Sequence, residues 1–477
     1  MEILALIAAV AAMLWGTLFV LRGSLFVSLI LVLVVGACFG HQFMHFDVGP
    51  LTMTLDRIAI LGIAAAYVVQ RFLGRLEPKP MTKQDVVLFA FLGTLTISTI
   101  YGFAIGQGQE EVSAAWRLIA GYFMPATIYW IARKLPSSRD RQTLLLGSLT
   151  CFGVYLGATG IAEHAHQWWA VFPKVIADPT AGLHFGRARG PMLQSVTYGL
   201  YLTICMLAAW LWLPRLSRGG RLTVFCTLPL MMAGVLFSLT RSVWIGAALG
   251  MTIVLSLSLR GAWRQMVLGS IMVAGLLIGI TKNDNIVGLK REGTAAESKM
   301  SANMRISFAY VSWKMFLDRP LMGVGFGNFP VAVRPYLEDR SVDMQLRQIR
   351  GLSHHNTLLS LLCETGIIGL ALFLTLLFCW TRTAWSVWRD PNSSDWGQSQ
   401  ATLMMGAMGV YVVQLVFHDL TFTSMENSMM YLLAGLTVAL QFNQGDRSIY
   451  DQRWTFVPAD QMQTDSPETI ENPTSAF

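Results

Sequence analysis

Apolar runs long enough to cross a bilayer alternate with short polar breaks along most of the chain. A spanning helix needs about 20 mainly apolar residues. Runs of that kind lie near 3–21, 24–40, 56–72, 86–105, 113–132, 142–162, 191–213, 222–239, 242–259, 265–281, 364–381, 401–418 and 427–442. They predict an all-α, polytopic transmembrane helix bundle of about 12–13 spans. The count is least firm at 222–259, where only a short turn around Thr240 and Arg241 divides two runs. The pattern gives four regions: ten spans over 1–281, a long polar loop over 282–363, three spans over 364–442, and a polar tail over 443–477. That tail has few aliphatic residues and reads as disordered. No cleavable signal peptide is expected, because the first run is long enough to span and a second follows almost at once.

Lysine and arginine in short loops set orientation. One alternate set of loops is basic: Arg71, Arg75, Lys79 and Lys83; Arg133, Lys134, Arg139 and Arg141; Arg215, Arg218 and Arg221; Arg260 and Arg264; Arg382 and Arg389. These loops are expected on the cytoplasmic side. The segments 41–55, 106–112, 163–190, 282–363 and 419–426 then face the opposite side. Thirteen spans put the N-terminus outside, and twelve put it inside.

The loop 282–363 differs from the other connections. Met304 to Leu317 has the spacing of an amphipathic helix carrying Ile306, Phe308, Val311, Trp313 and Phe316, stopped by Asp318-Arg319-Pro320. Gly323, Gly325 and Gly327 follow as a tight turn where backbones approach closely. Ser353 is expected to cap an apolar helix that runs through Glu364 into the next span.

Composition sharpens this picture. Of 477 residues, 54% are hydrophobic and 13% charged, whereas a soluble domain carries about 25% charged residues. The net charge of +7 sits mostly between apolar runs, with no basic patch interleaved with aromatics, so nucleic acid is not an expected partner. The six cysteines are scattered without a CxxC pair and read as small apolar residues. No HExxH or comparable ligand set is present, so neither metal nor cofactor is expected.

Ionisable residues at membrane depth are costly and mark candidate functional positions. Asp56, Arg57, Arg117, Arg241 and Glu364 stand at the outer ends of spans. Arg57 and Arg117 can be read as side chains snorkelling to headgroups. Arg241 sits in a tight turn and is harder to explain that way. His354, His355 and Asn356 precede a helix start, where free amides favour an anion and a histidine can act as base. His164 and His166, beside Trp168 and Trp169, read as interfacial. This distribution places chemistry at the outer membrane surface and not along a path through the bilayer.

The order of motifs is specific. Arg189-Gly190-Pro191 is followed by Ser238-Leu239-Thr240-Arg241-Ser242-Val243-Trp244. Arg305 and Trp313 come next, then Asp318 to Phe329 with its three glycines, then His355-Asn356, then Glu364-Thr365-Gly366-Ile367-Ile368-Gly369-Leu370. This succession resembles the O-antigen ligase and polymerase superfamily over about 189–370. The glutamine and serine after Pro191 depart from the asparagine-rich form expected there.

The resemblance implies an inverting, GT-C-type glycosyltransferase of the bacterial inner membrane with its site facing the periplasm. The implied donor is a glycan on undecaprenyl diphosphate, and the acceptor is lipid A-core or a growing glycan. Neither a nucleotide sugar nor a metal is implied. By the same resemblance Arg241 and Arg305 bind the diphosphate, with Arg189 as a weaker third. His355 orients or deprotonates the acceptor hydroxyl, with His354 as a possible substitute, and Glu364 positions His355 or Arg305. Asn356, Arg117 and Arg57 are further possible site residues. A multi-span transporter of a lipid or solute is the alternative; it predicts internal repeats and helices broken near the midplane.

Overall fold

The computed structural model describes residues 23–40, 43, 45–48, 51–105, 111–259, 261–262, 264–266, 295–339, 341–352, 354–421 and 424–442. The expected spans at 3–21 and 265–281, the tail 443–477 and the Ser353 cap lie outside the described residues.

The chain is a helical bundle. In order come α1 (Leu25–Cys38), α2 (Leu55–Phe72), α3 (Lys83–Ile105), α4 (Glu111–Leu118), α5 (Met124–Lys134), α6 (Arg139–His164), α7 (Ser195–Trp212), α8 (Arg218–Phe237), α9 (Arg241–Ser258), α10 (Ala295–Asp318), α11 (Thr357–Arg389), α12 (Asp395–Phe417) and α13 (Ser424–Leu440). Among the described residues, seven helices are long and apolar enough to cross a membrane by length and composition: α3, α6, α7 with the turn after it, α8, α9, α11 and α12. The amphipathic helix expected over 304–317 is the C-terminal part of α10, which stops at Asp318 before Pro320.

Polar side chains start these helices. Ser24, Ser138, Ser217 and Ser394 each accept from a first-turn amide, satisfying donors the helix itself leaves orphaned. Asn356 does the same for α11, its Oδ1 accepting from Leu359 N at 2.9 Å. The cap is therefore Asn356, three residues later than the expected Ser353.

α7 and α13 are buried along nearly their whole length and form the centre of the bundle. α8 and α3 turn large apolar side chains outward, such as Leu222, Phe225, Ile97 and Ile100. An apolar exterior of that extent suits lipid rather than water.

Three local departures from plain helix matter. First, His45–Val48 and Leu51–Thr54 pair antiparallel as a small hairpin (β1, β2) between α1 and α2, where the sequence pattern gave only a loop. Second, the expected span 113–132 is α4 and α5 joined by a π-helical turn, Ile119–Phe123. Third, α11 is broken at Gly366, whose φ is 67°. That break fits the transporter expectation of interrupted helices, but loop 320–327 fills it. Ile367 N donates to Pro320 O at 2.8 Å, Val324 N to Cys363 O at 3.0 Å and Gly325 N to Glu364 O at 2.9 Å. A side chain at Gly323 would collide with the backbone of Glu364, and one at Gly366 with the backbone of Leu321. Two glycines far apart in sequence thus meet because neither strand leaves room for a Cβ.

Contacts divide the bundle into two ends. At the basic end, Arg133 forms a buried ion pair with Asp85, and Lys134 donates to Lys79 O at 2.6 Å. At the other, the hairpin and the segments 163–194, 319–356 and 418–424 converge.

Candidate functional site

The floor of the loop end is built on Arg117 of α4. Its Nη1 donates to both carboxylate oxygens of Glu364 at 3.0 Å, and Nη2 to Ser360 Oγ at 3.0 Å and Asp419 Oδ2 at 3.1 Å. Nε donates to Thr421 Oγ1 at 2.6 Å, and the guanidinium lies over the Phe326 ring. One planar fork therefore ties α4, α11, the 418–421 turn and the glycine loop together. Arg117 is buried and not snorkelling. Glu364 also departs from its expected role: its carboxylate lies on Arg117, with Phe329 N donating to it at 3.4 Å, instead of on His355 or Arg305.

His354 and His355 sit just before Asn356 and part in opposite directions. His354 is 4% exposed, its ring packed between Phe308 and Phe329, with Nε2 hydrogen-bonded to Ser312 Oγ at 2.6 Å. Burial above all pushes its pKa down to about 4. His354 is a neutral core histidine, which removes it as a substitute for its neighbour. His355 is exposed, with its ring edge-on to that of Phe308, centroids 5.5 Å apart. Its pKa is lowered by partial burial first and by Arg305 next, with Asp419 opposing. An exposed imidazole whose surroundings favour the unprotonated form suits a general base.

The depressed pKa of His354 has a consequence for stability. Between its ordinary value near 6.5 and about 4, the unfolded chain binds the extra proton and the folded chain does not. Stability is therefore complete above pH 6.5 and falls as pH drops towards 4. The expected loss at the lower end is on the order of 3 kcal/mol. Melting of detergent-solubilised protein at pH 7.5, 6 and 5 checks this; a His354→Leu variant should make the profile shallower, leaving the fall that His418 contributes.

Two histidines not picked out in the sequence complete the arrangement. His418, the C-cap of α12, has Nε2 hydrogen-bonded to Ser242 Oγ at 2.9 Å. Its pKa is pushed down to about 3, by burial first and then by Arg305, His184 and His355. These four groups thus share one electrostatic neighbourhood. Arg305 lies with its guanidinium over the Phe417 ring. His184 Nδ1 is hydrogen-bonded to Ser195 Oγ at 2.9 Å, and Ser195 Oγ to Thr240 Oγ1 at 2.9 Å. Thr240 immediately precedes Arg241, which is exposed at the start of α9. The turn expected at Thr240 and Arg241 is therefore real, and it meets both the 184–195 segment and the end of α12.

Arg189 is placed differently from its expected part as a third diphosphate ligand. It is 1% exposed, and its guanidinium is consumed by carbonyls: Nη1 donates to Ala181 O at 2.5 Å, Nη2 to Asp178 O at 2.7 Å and Ile176 O at 3.0 Å. Glu163 accepts from the amides of Arg189 and Gly190 at 3.0 and 2.7 Å. Arg189 folds the 176–190 loop, with both Nη atoms turned to carbonyls of that loop. Arg57 stands elsewhere, over the Trp116 ring and donating to Thr52 O.

The signal for His418 and Asp419 was present in the sequence: a histidine and an aspartate at the end of an apolar run. The span 401–418 absorbed the first as helix, and the second was left in a loop. His184 carried no such signal, since its value comes from the fold of its loop. Among the described residues, no group of three or more His, Cys, Asp or Glu side chains is arranged to hold a metal ion.

A bundle of membrane-length helices with histidine and arginine side chains gathered over one end defines a polytopic membrane protein with a surface site. Residues 226–374 match the family described as O-antigen ligase. The match supports the resemblance to the O-antigen ligase and polymerase superfamily over the region where most of the motifs lie. It covers Arg241, Arg305, His354, His355, Asn356 and Glu364, and leaves Arg57, Arg117, Arg189 and His418 outside. No curated protein matches the chain.

Proposed function

We propose that this protein is an inverting membrane glycosyltransferase of the ligase type, moving a glycan from undecaprenyl diphosphate to an acceptor hydroxyl on the periplasmic face of the inner membrane. The acceptor oxygen attacks the anomeric carbon, its proton passes to His355, and the bond from that carbon to the diphosphate oxygen breaks. Arg241 and Arg305 take up the charge on the departing diphosphate. The observation that carries this reading is His355, exposed just before α11 and in the electrostatic reach of Arg305 and His418. Arginine suits the diphosphate because its rigid fork matches phosphate oxygens and stays charged.

The test is transfer in liposomes holding purified protein and an undecaprenyl-diphosphate oligosaccharide, with and without lipid A-core. Sugar appearing on lipid A-core supports a ligase. Longer chains on the carrier without acceptor identify a polymerase instead, and no transfer from folded protein overturns the reading. Arg241→Lys and Arg305→Lys should each weaken donor binding about tenfold or more, one charge-assisted hydrogen bond being worth roughly 1.5–3 kcal/mol. Donor affinity unchanged in both would remove these arginines from the diphosphate site.

A further inference from the structure

A cavity of about 190 Å³ lies at the loop end, between the connection from α1 to α2, the start of α7 and the start of α13. Asp56, Arg57, Gln194, Thr197, Ser424 and Phe43 are among its lining residues. Resting on the transfer reading above, we propose that this cavity binds the terminal sugar of the acceptor glycan.

Position is the first argument. Gln194 and Thr197 flank Ser195, the residue hydrogen-bonded to both His184 and Thr240. On the other side, His418, bonded to Ser242, caps α12, and Ser424, the first residue of α13, stands on the cavity wall. The first turn of α7 thus joins the cavity wall to His184 and Thr240.

Charge is the second. The cavity lining carries one carboxylate, Asp56, and one guanidinium, Arg57. A diphosphate calls for an excess of positive charge, whereas a balanced pair among neutral hydroxyl and amide groups suits a neutral, hydroxyl-bearing ring. Donor and acceptor capacity is left over. Asp56 accepts from the hydroxyls of Thr54 and Ser424, yet a carboxylate has about four lone-pair sites. Arg57 Nε is buried with no hydrogen-bond partner among the described residues. Thr197 Oγ1, bonded to Gln194 Oε1 at 2.8 Å, also bonds Glu426, which stands behind the lining and not on it. Glu426 is 1% exposed. Carboxylates at such depth are costly and mark functional sites. Phe43 adds a half-exposed aromatic ring, packed edge-on against Phe39 at 4.8 Å, for the apolar face of a pyranose.

Size is the third. Ligand pockets run to roughly 300–1,000 Å³. A volume of about 190 Å³ holds one ring and not an oligosaccharide, so the cavity reads the end of the acceptor.

The experiment measures binding of delipidated core oligosaccharide to full-length protein in detergent, followed by tryptophan fluorescence, since Trp116 stacks on Arg57. Inorganic pyrophosphate is the anionic comparison. Gln194→Ala and Arg57→Gln, each checked by melting temperature, should weaken oligosaccharide binding about tenfold. They should raise the acceptor KM to the same degree and leave the donor KM unmoved. Wild-type affinity in both variants, or competition between pyrophosphate and the oligosaccharide, overturns the proposal. Absence of saturable oligosaccharide binding to wild type does so too. Should wild type bind the oligosaccharide through these residues and yet transfer nothing, the cavity stands and the transfer reading falls. Should wild type transfer sugar while both variants behave as wild type, the cavity alone falls.

Discussion

Replacing His355 with alanine is expected to cut turnover by about 10²–10⁴-fold, the contribution typical of a positioned general base, with the melting temperature unchanged. The side chain is exposed and its ring meets Phe308 edge-on, so little packing is lost. The adjacent His354 is the internal control. Its ring fills a space between Phe308 and Phe329 and its Nε2 meets Ser312. His354→Ala should therefore lower stability by about 2–4 kcal/mol, as buried truncations do, and affect turnover only through folding. Two neighbouring histidines thus separate chemistry from structure in a single pair of variants. His355→Ala turnover within tenfold of wild type would take His355 out of the reaction. His418, bonded to Ser242 and coupled to the same arginine, would then be the next base to replace.

The parts of this molecule that were legible in the sequence are those fixed by local pattern. Apolar runs of spanning length located the helices, Asp318-Arg319-Pro320 located the end of α10, and Gly323 to Gly327 announced a close backbone approach. What the approach was to could not be read, because Glu364 and Gly366 lie some forty residues further on. The arginines make the same point more sharply. Cost at membrane depth singled out Arg117 and Arg241 alike, and it requires that such a charge be satisfied without naming the partner. Arg117 is satisfied by residues more than 240 positions away, while Arg241 stays exposed. Arg189 resembled a ligand-binding arginine by motif and proved to be the clasp of its own loop. The π-helical turn at Ile119–Phe123 has no local cause either. Gly121 lies where any side chain would strike the backbone of Thr421, so the turn belongs to the packing of two distant segments. The hairpin was equally hidden, because strands of four residues give too little alternation to distinguish from a loop.

The largest stability effect is expected at Arg117, and its sign pattern follows from charge. Two buried carboxylates, Glu364 and Asp419, share one guanidinium. Removing Arg117 leaves both facing each other without a counterion, and takes a donor from the hydroxyls of Ser360 and Thr421. Arg117→Ala should cost about 3–5 kcal/mol or more, the range for breaking a buried pair. Arg117→Lys should recover little of it, because a point charge cannot reach four side chains lying in the plane of a fork. Glu364→Gln should be far milder, since it leaves Arg117 and Asp419 as a balanced pair and keeps an oxygen for one Nη1 hydrogen bond. The order of melting temperatures is then wild type, Glu364→Gln, Arg117→Lys, Arg117→Ala. Activity should follow the same order. Glu364 O receives Gly325 N, and Thr357 N donates to His418 O at 3.1 Å, so the segments this ion pair secures are the ones that hold the glycine loop and His418 in place. A Glu364→Gln protein that melts like wild type yet fails to transfer sugar would contradict this order and give Glu364 a part in the chemistry itself.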